Sequence, residues 1–364
     1  MSPSTAASRP SELLVRSSLG DYQVTFTDDA GAALIGGVTP RDVMIADRLV
    51  LRGHADRLAG LLEQVRVVEI DATEGQKSYQ ELTAIFDELI RGGFRRGDRL
   101  IALGGGITQD CTAFIASVLY RGVDWLFLPT TLLAQADSCI GSKTSINFGE
   151  FKNQLGGFYP PRQIFIDPTF LETLPRKEVL SGLGEMAHYF PIDGAEAFER
   201  YATGLTLALG DGSSIPALTR ESLEIKKGYV EIDEFDRNER QVFNYGHSFG
   251  HALESVSHYA LPHGIAVSYG IDLANRVSVE LGFLEQEVRD TMRRSLKQIW
   301  AEAPLPTVDV EKFKTALRRD KKNRGDELGL ILTRGWGQMF KHFCPLDQVL
   351  SDLIDDFFRD ANQS

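Results

Sequence analysis

The sequence predicts a doubly wound parallel α/β domain followed by a mostly helical one, and three observations carry that expectation. Over the first half, short apolar runs alternate with amphipathic helical stretches, the rhythm of strand–helix units around a parallel sheet. Past Thr173 strand-like runs become rare and long helical stretches dominate. At 364 residues the chain also exceeds one small module, since domains run to about 150 residues. A boundary near residue 175 is expected, with 1–175 forming the α/β unit and 176–364 the helical one.

In chain order, DVMIADRLV (42–50) reads as a strand, HADRLAGLLEQ (54–64) as a helix and VRVVEIDA (65–72) as a strand. SYQELTAIFDELIRGG (78–93) is a helix closed by a glycine pair where a left-handed cap is wanted. RLIALGGG (99–106) is a strand, DCTAFIASVLYRG (110–122) a helix and WLFLPTT (125–131) a strand. RKEVLSGLGEMAHYF, SLEIKKGYVEIDEF and QEVRDTMRRSLKQIWAEA read as helices, and GLILTRGWGQMF as a strand pair among them. The start, MSPSTAASRPSELL, lacks an apolar core and reads as a frayed tail, not a signal peptide.

Lys and Arg total 39 against 51 Asp and Glu, a formal charge of −12. That balance disfavours a general nucleic-acid or anionic-membrane binder, because polyanions need a basic face. It leaves room for small anionic substrates, which need only a few local cations. The three cysteines, Cys111, Cys139 and Cys344, lack CxxC spacing, which suits a reducing compartment and excludes a disulfide scaffold. No run of 18 apolar residues occurs, so a soluble cytoplasmic protein is expected.

RLIALGGGITQD reads as a strand, a glycine run and a helix with Asp110 in its first turn. Such a turn lets phosphate approach backbone N–H groups, although a tight βα turn alone would also need glycines. Thr130, Thr131 and Asp137 fall just beyond the carboxyl edge of the next strand, where doubly wound sheets bind ligands. Four histidines (His247, His251, His258, His263) lie within seventeen residues, and His247 and His251 share one helix face. Glu185 sits upstream on a helix beside small residues. Two imidazoles and a carboxylate are the ligand set of a catalytic zinc with an open position, although the spacing is not HExxH. His258, between Ser257 and Tyr259, reads as structural.

Taken together, the ordered motifs EGQKS, GGGITQD, YRG, PTTLLAQAD, SKTSIN, FKNQLGGFY, FLETLP, GEM, NYGHSFGHA, LPHG and RDKKN resemble the 3-dehydroquinate synthase family of sugar phosphate cyclases, from about Asp47 to Gly337. The resemblance implies a Rossmann-like N-terminal domain and a helical C-terminal one, with NAD and a divalent metal (zinc, or cobalt as the alternative) bound between them, and a homodimer. It places metal ligands at Glu185, His247 and His263. NAD contacts fall at Asp47, Glu74, Lys77, Gly105, Gly106 and Asp110, then at Thr130, Thr131, Lys143, Lys152, Phe170, Thr173 and Glu178. Substrate positions fall at Asp137, Lys152, Asn153, Lys226, Arg240, Asn244, His251 and Lys322, with Arg121 reaching a neighbouring subunit's phosphate site. Of all these, His251, Lys143, Asp137 and Lys152 carry implied catalytic roles, His251 as proton relay near the departing phosphate.

The implied reaction is a closed redox cycle on a phosphorylated sugar or sugar acid: oxidation, phosphate elimination, re-reduction and aldol closure to a carbocycle. Arg240 and Asn244, seven and three residues before His247, match the carboxylate-holding positions of dehydroquinate synthases and favour a heptulosonate-type 7-phosphate. A surface Arg in the charged run EFDRNERQ is the plainer alternative. Two departures point towards a specialised relative in secondary metabolism. His188 replaces the usual Lys three residues after Glu185, and Ile265 replaces the usual Glu after the HG pair. Rival readings are a neutral-sugar cyclase of deoxyinosose or valiolone type, a metal-dependent polyol dehydrogenase, and a non-catalytic paralogue.

Overall fold

A computed structural model describes residues 11–149, 151–320 and 322–361. The chain divides into two compact units, one ending at Thr173 and the next beginning at Leu174. The first unit contains the strands β1 (Glu12–Val15), β2 (Tyr22–Phe26), β3 (Val43–Asp47), β4 (Arg66–Ile70), β5 (Leu100–Gly104), β6 (Trp125–Pro129), β7 (Lys143–Phe148), β8 (Phe151–Phe158) and β9 (Gln163–Ile166). Seven of them form one sheet in the order β1-β2-β9-β6-β5-β3-β4. Apart from the antiparallel β1–β2 pair, its neighbours run parallel, as the strand–helix alternation predicts.

Every residue of β5 and β6 is buried, which is why both read as unbroken apolar runs. Met44, Ala46, Ile101, Leu103, Leu126 and Leu128 share a core cluster with Leu58, Leu61 and Phe170. Each of the Met, Ile, Leu and Phe side chains among them contributes about 1.5–3 kcal/mol on burial.

Several boundaries differ from the sequence expectation. The run DVMIADRLV is strand only to Asp47, whose carboxylate accepts the Leu49 N–H and caps a helix over Arg48–Leu62. The glycine run makes the next turn itself. Gly104 has φ +159°, and a Cβ there would stand 2.3 Å from Thr108 Oγ1. Gly105 is the N-cap and the helix runs Gly106–Val118, so Asp110 lies in its second turn, not its first. Residues 1–10 of the expected tail lie outside the described residues, but its last part is ordered as β1. Five strands of the first unit had no counterpart in the reading: the β1–β2 pair, β9, and the two of the β7–β8 ribbon.

Among its described residues the second unit is mostly helical, with one antiparallel pair, β10 (Glu327–Thr333) and β11 (Met339–Pro345), where GLILTRGWGQMF predicts it. The expected helix over 176–190 stops at Met186 and restarts at Tyr189, with His188 between. Pro191 explains the break, because it lacks the N–H that a continuous helix would direct to Ala187. Three helices, Arg176–Met186, His247–Val256 and His263–Glu280, pack at backbone contact. A Cβ on Gly264 would stand 1.8 Å from Ser181 O, and one on Gly270 would stand 2.0 Å from Gly246 O. No helix among the described residues is long and apolar enough to cross a membrane.

Candidate functional site

The glycine contacts of the second unit bring three helix ends together. Glu185 lies in the last turn of its helix, 2% exposed. His247 opens its helix after Gly246, whose φ of +80° turns the chain, and His263 opens the next after the extended Pro262. His247 Nε2 lies 3.4 Å from Glu185 Oε1, and His263 Nε2 lies 3.4 Å from Oε2. One ligand atom from each residue can be chosen so that all three lie within 4.8 Å of one another.

The outer nitrogens decide what this cluster can hold. His247 Nδ1 contacts the Tyr245 carbonyl at 3.2 Å, and His263 Nδ1 contacts the Glu254 carboxylate at 2.9 Å. Both partners accept, so both Nδ1 atoms donate, and in the neutral rings each Nε2 turns a lone pair towards Glu185. Lone pairs facing a carboxylate repel unless a cation sits among them. Burial works against the Glu185 charge, and it is positive charge at His263 and His247 that holds its carboxyl well below the usual range, a charge that a cation among neutral rings would supply instead. Its Oε2 is buried without a hydrogen-bond partner. Ligands about 2.0–2.1 Å from a tetrahedral ion stand about 3.3–3.4 Å apart, close to the separations seen. The residues fit a divalent cation with a position left open.

Around the triad, the His251 ring centroid lies 5.6 Å from that of His247 and 5.5 Å from that of His263. Desolvation and the neighbouring His263, His247 and Lys322 push its pKa well below the ordinary value, favouring the neutral ring. His188 is buried against Tyr189, Phe243 and His247, its Nδ1 3.8 Å from Glu185 Oε1. Ile265 is fully buried. Arg240 is 4% exposed, which removes the surface-charge alternative, and its Nη1 donates to Glu234 O at 2.7 Å. Asn244 closes the 3-10 turn Glu239–Asn244, Lys226 is buried within the helix Ile215–Ile232, and Lys322 Nζ lies 3.3 Å from Asp320. Glu178 falls in the first turn of the Glu185 helix.

In the first unit, the EGQKS loop, the Gly106–Val118 helix and the β7–β8 ribbon are tied by polar contacts. Lys77 Nζ reaches Asp110 Oδ2 at 2.6 Å and Asn153 Oδ1 at 2.7 Å. Asn147 donates to Glu74 at 2.8 Å, and Lys152 lies 3.4 Å from the same carboxylate. The helix start has no side-chain cap, and nothing lies within 4 Å of where a Cβ on Gly106 would stand. That open, uncapped N-terminus fits a phosphate group such as a dinucleotide carries. Thr130 and Thr131 follow β6, and the Thr131 methyl lies against Gly105. Asp137 occupies a π-helical turn, Ala134–Ser138, and Lys143 is exposed at the start of β7. Phe170 belongs to the core, and Thr173 pairs with His54 at 2.8 Å. Arg121 is exposed, with φ +65°.

Sequence reasoning missed Glu254. Its signal was available: it follows His247 by seven residues, two helical turns on the same face.

Comparisons with known proteins follow the same residues. Family models for the N-terminal and C-terminal regions of 3-dehydroquinate synthase match residues 67–181 and 182–323. A 3-dehydroquinate synthase of Dehalococcoides mccartyi is 38% identical over 308 residues, covering 82% of this chain and 84% of the relative. That of Rhodospirillum rubrum is 33% identical over 363 residues, covering 93% and 94%. Among solved structures, a 2-deoxy-scyllo-inosose synthase complexed with carbaglucose-6-phosphate, NAD+ and Co2+ superposes with a TM-score of 0.81 at 22% identity, over 95% of this chain and 99% of the other. A 2-epi-5-epi-valiolone synthase of Streptomyces hygroscopicus with NAD+ and Zn2+ gives 0.79 at 23%, over 94% and 97%. A glycerol dehydrogenase of Schizosaccharomyces pombe gives 0.58 at 20%, over 93% and 89%.

Proposed function

Because the chain belongs to the 3-dehydroquinate synthase family, we propose that it is a sugar phosphate cyclase converting a heptulosonate-type 7-phosphate to a carbocycle with loss of inorganic phosphate. The observation that carries this reading is the convergence of Glu185, His247 and His263 with both outer imidazole nitrogens already donating. When bound, NAD+ would act as a reversible oxidant and the divalent cation would polarise the substrate oxygen being oxidised.

The remaining work falls to side chains of this chain. Glu74, Lys77 and Asp110 would hold the dinucleotide beside the uncapped helix start, with Asp47, Gly105, Gly106, Thr130, Thr131, Phe170, Thr173 and Glu178 completing its contacts. Lys143, Lys152, Lys226 and Lys322 would neutralise the phosphate, joined by Arg121 from a second copy in a homodimer, while Asp137 and Asn153 orient hydroxyls. His251, favoured in its neutral form, can accept a proton at a ring nitrogen and return it as phosphate leaves. Arg240 and Asn244 would hold the substrate carboxylate, the buried guanidinium of Arg240 supplying the permanent positive charge that an acidic substrate needs. His188 favours one second reading, a cyclase of a neutral sugar phosphate, because it supplies no permanent cation there.

The test incubates metal-loaded protein with NAD+ and 3-deoxy-arabino-heptulosonate 7-phosphate, its amino analogue, sedoheptulose 7-phosphate and glucose 6-phosphate, measuring phosphate and NADH together. Phosphate release without NADH accumulation is expected with the first substrate. Release with a neutral sugar instead selects the second reading. NADH without phosphate marks a polyol dehydrogenase, and metal binding with no turnover marks a non-catalytic relative. His251→Ala should lower turnover by about 10²–10⁴-fold; an unchanged rate removes the relay role.

A further inference from the structure

We infer that Glu254 is a positioning residue for the metal centre, holding His263 in the tautomer and orientation that presents Nε2 to the ion. The inference rests on the proposal that Glu185, His247 and His263 ligate a divalent cation. His263 stands at the first position of its helix with its ring 32% exposed, where packing alone leaves it room to turn. Its Nδ1 meets Glu254 Oε2 at 2.9 Å, and Glu254 is 16% exposed, a partly desolvated contact between an N–H donor and an anion. The corresponding anchor of His247 is a backbone carbonyl, Tyr245 O, which no substitution can remove. Only at His263 does the anchor depend on a side chain.

Two features of the surroundings sharpen the assignment. Ile265, two residues past His263, is hydrocarbon and fully buried, so it offers no acceptor to the ring. His251, Glu254 and His263 also present ligand atoms within 4.8 Å of one another, a second grouping that could hold an ion. Distance decides between the two. The Nδ1–Oε2 contact of 2.9 Å is a hydrogen-bond length, whereas two ligands of one tetrahedral ion stand about 3.3–3.4 Å apart, as the Glu185 contacts do. Glu254 therefore binds the proton on Nδ1, which makes Nε2 the lone-pair nitrogen and a stronger ligand.

The experiment titrates Zn2+ and Co2+ into the metal-free full-length protein against a chromophoric chelator, for native protein, Glu254→Gln and Glu254→Ala. Native protein should bind one ion per chain. Glu254→Ala should bind about 10–100-fold more weakly, and Glu254→Gln, which keeps an acceptor but loses the charge, should fall between. The Co2+ visible spectrum should shift in the alanine variant, while unfolding of both metal-free variants stays at the native midpoint. Affinities of both variants within threefold of native overturn the inference and leave the metal site standing. A stoichiometry of two that falls to one in Glu254→Ala also overturns it, since Glu254 is then a ligand. Native protein that binds neither metal overturns the metal site itself and this inference with it.

Discussion

Asp42 shows how a buried charge is sustained in this chain and what happens when its proton returns. The residue is 2% exposed, and its carboxylate accepts from Thr39 N, Arg99 N, Arg99 Nε and Arg99 Nη2. Burial alone would raise its pKa, but the Arg99 and Thr39 hydrogen bonds hold it below the ordinary value. A depressed folded-state pKa means the stabilisation is complete above the unfolded-state value, about 3.9, and is lost as pH falls through the folded-state value. Asp42→Asn should therefore cost about 2–4 kcal/mol at pH 7, because Arg99 loses its anion and Thr39 N–H a strong acceptor. Urea unfolding at pH 7 and at pH 3 checks this: the gap between native and variant should narrow in acid. A gap independent of pH would show the contact to be packing and not charge. Glu185 poses the opposite case, a buried carboxylate whose company is imidazole, and there the proposed cation takes the place that Arg99 fills for Asp42.

Helix contacts made through glycine are what bring Glu185, His247 and His263 within reach of one another. Gly264 N donates to Ser181 Oγ at 3.1 Å, and an added Cβ would collide with Ser181 O and stand 2.6 Å from Glu185 N. Gly264→Ala should push the two helices apart, costing about 1–3 kcal/mol in overpacking and weakening metal affinity through displacement of Glu185. Thermal unfolding together with metal titration tests this, and a stable variant with native affinity would show that the helices tolerate the separation. What the sequence made legible at this scale follows from how each element meets solvent. The strands β5 and β6 are buried on both faces, so their apolar runs stand out. The ribbon β7–β8 shows water most of its β8 residues, and its polar, glycine-bearing sequence carries no strand period, yet Lys143, Lys152 and Asn153 all stand on it. The shift of the helix start from Asp110 to Gly106 was hidden for another reason: glycines that form a turn and glycines that begin a helix look alike in one sequence.

For the whole molecule, family and substrate are legible to different degrees because they rest on different numbers of residues. Motifs spread from EGQKS to RDKKN mark the family redundantly, and the matched regions span residues 67–323. In the proposed reading, substrate choice would turn on a few positions, Arg240, Asn244 and His188 among them, set in a fold shared with a 2-deoxy-scyllo-inosose synthase and a 2-epi-5-epi-valiolone synthase. The proposed metal site ties the local chemistry back to the stability of the folded chain. Its ligands would come from positions 185, 247 and 263, so the unfolded chain cannot offer them together, and binding free energy should appear as folding free energy. Metal at one hundred times its dissociation constant should stabilise the protein by about 2.7 kcal/mol, and a chelator should reverse the gain. Chemical unfolding of native protein and Glu185→Gln, each with Zn2+ and with chelator, measures this linkage. The native midpoint should rise with metal and the variant midpoint should not. Equal shifts in both would place the stabilising metal elsewhere on the chain, and the three helix ends would then owe their convergence to packing alone.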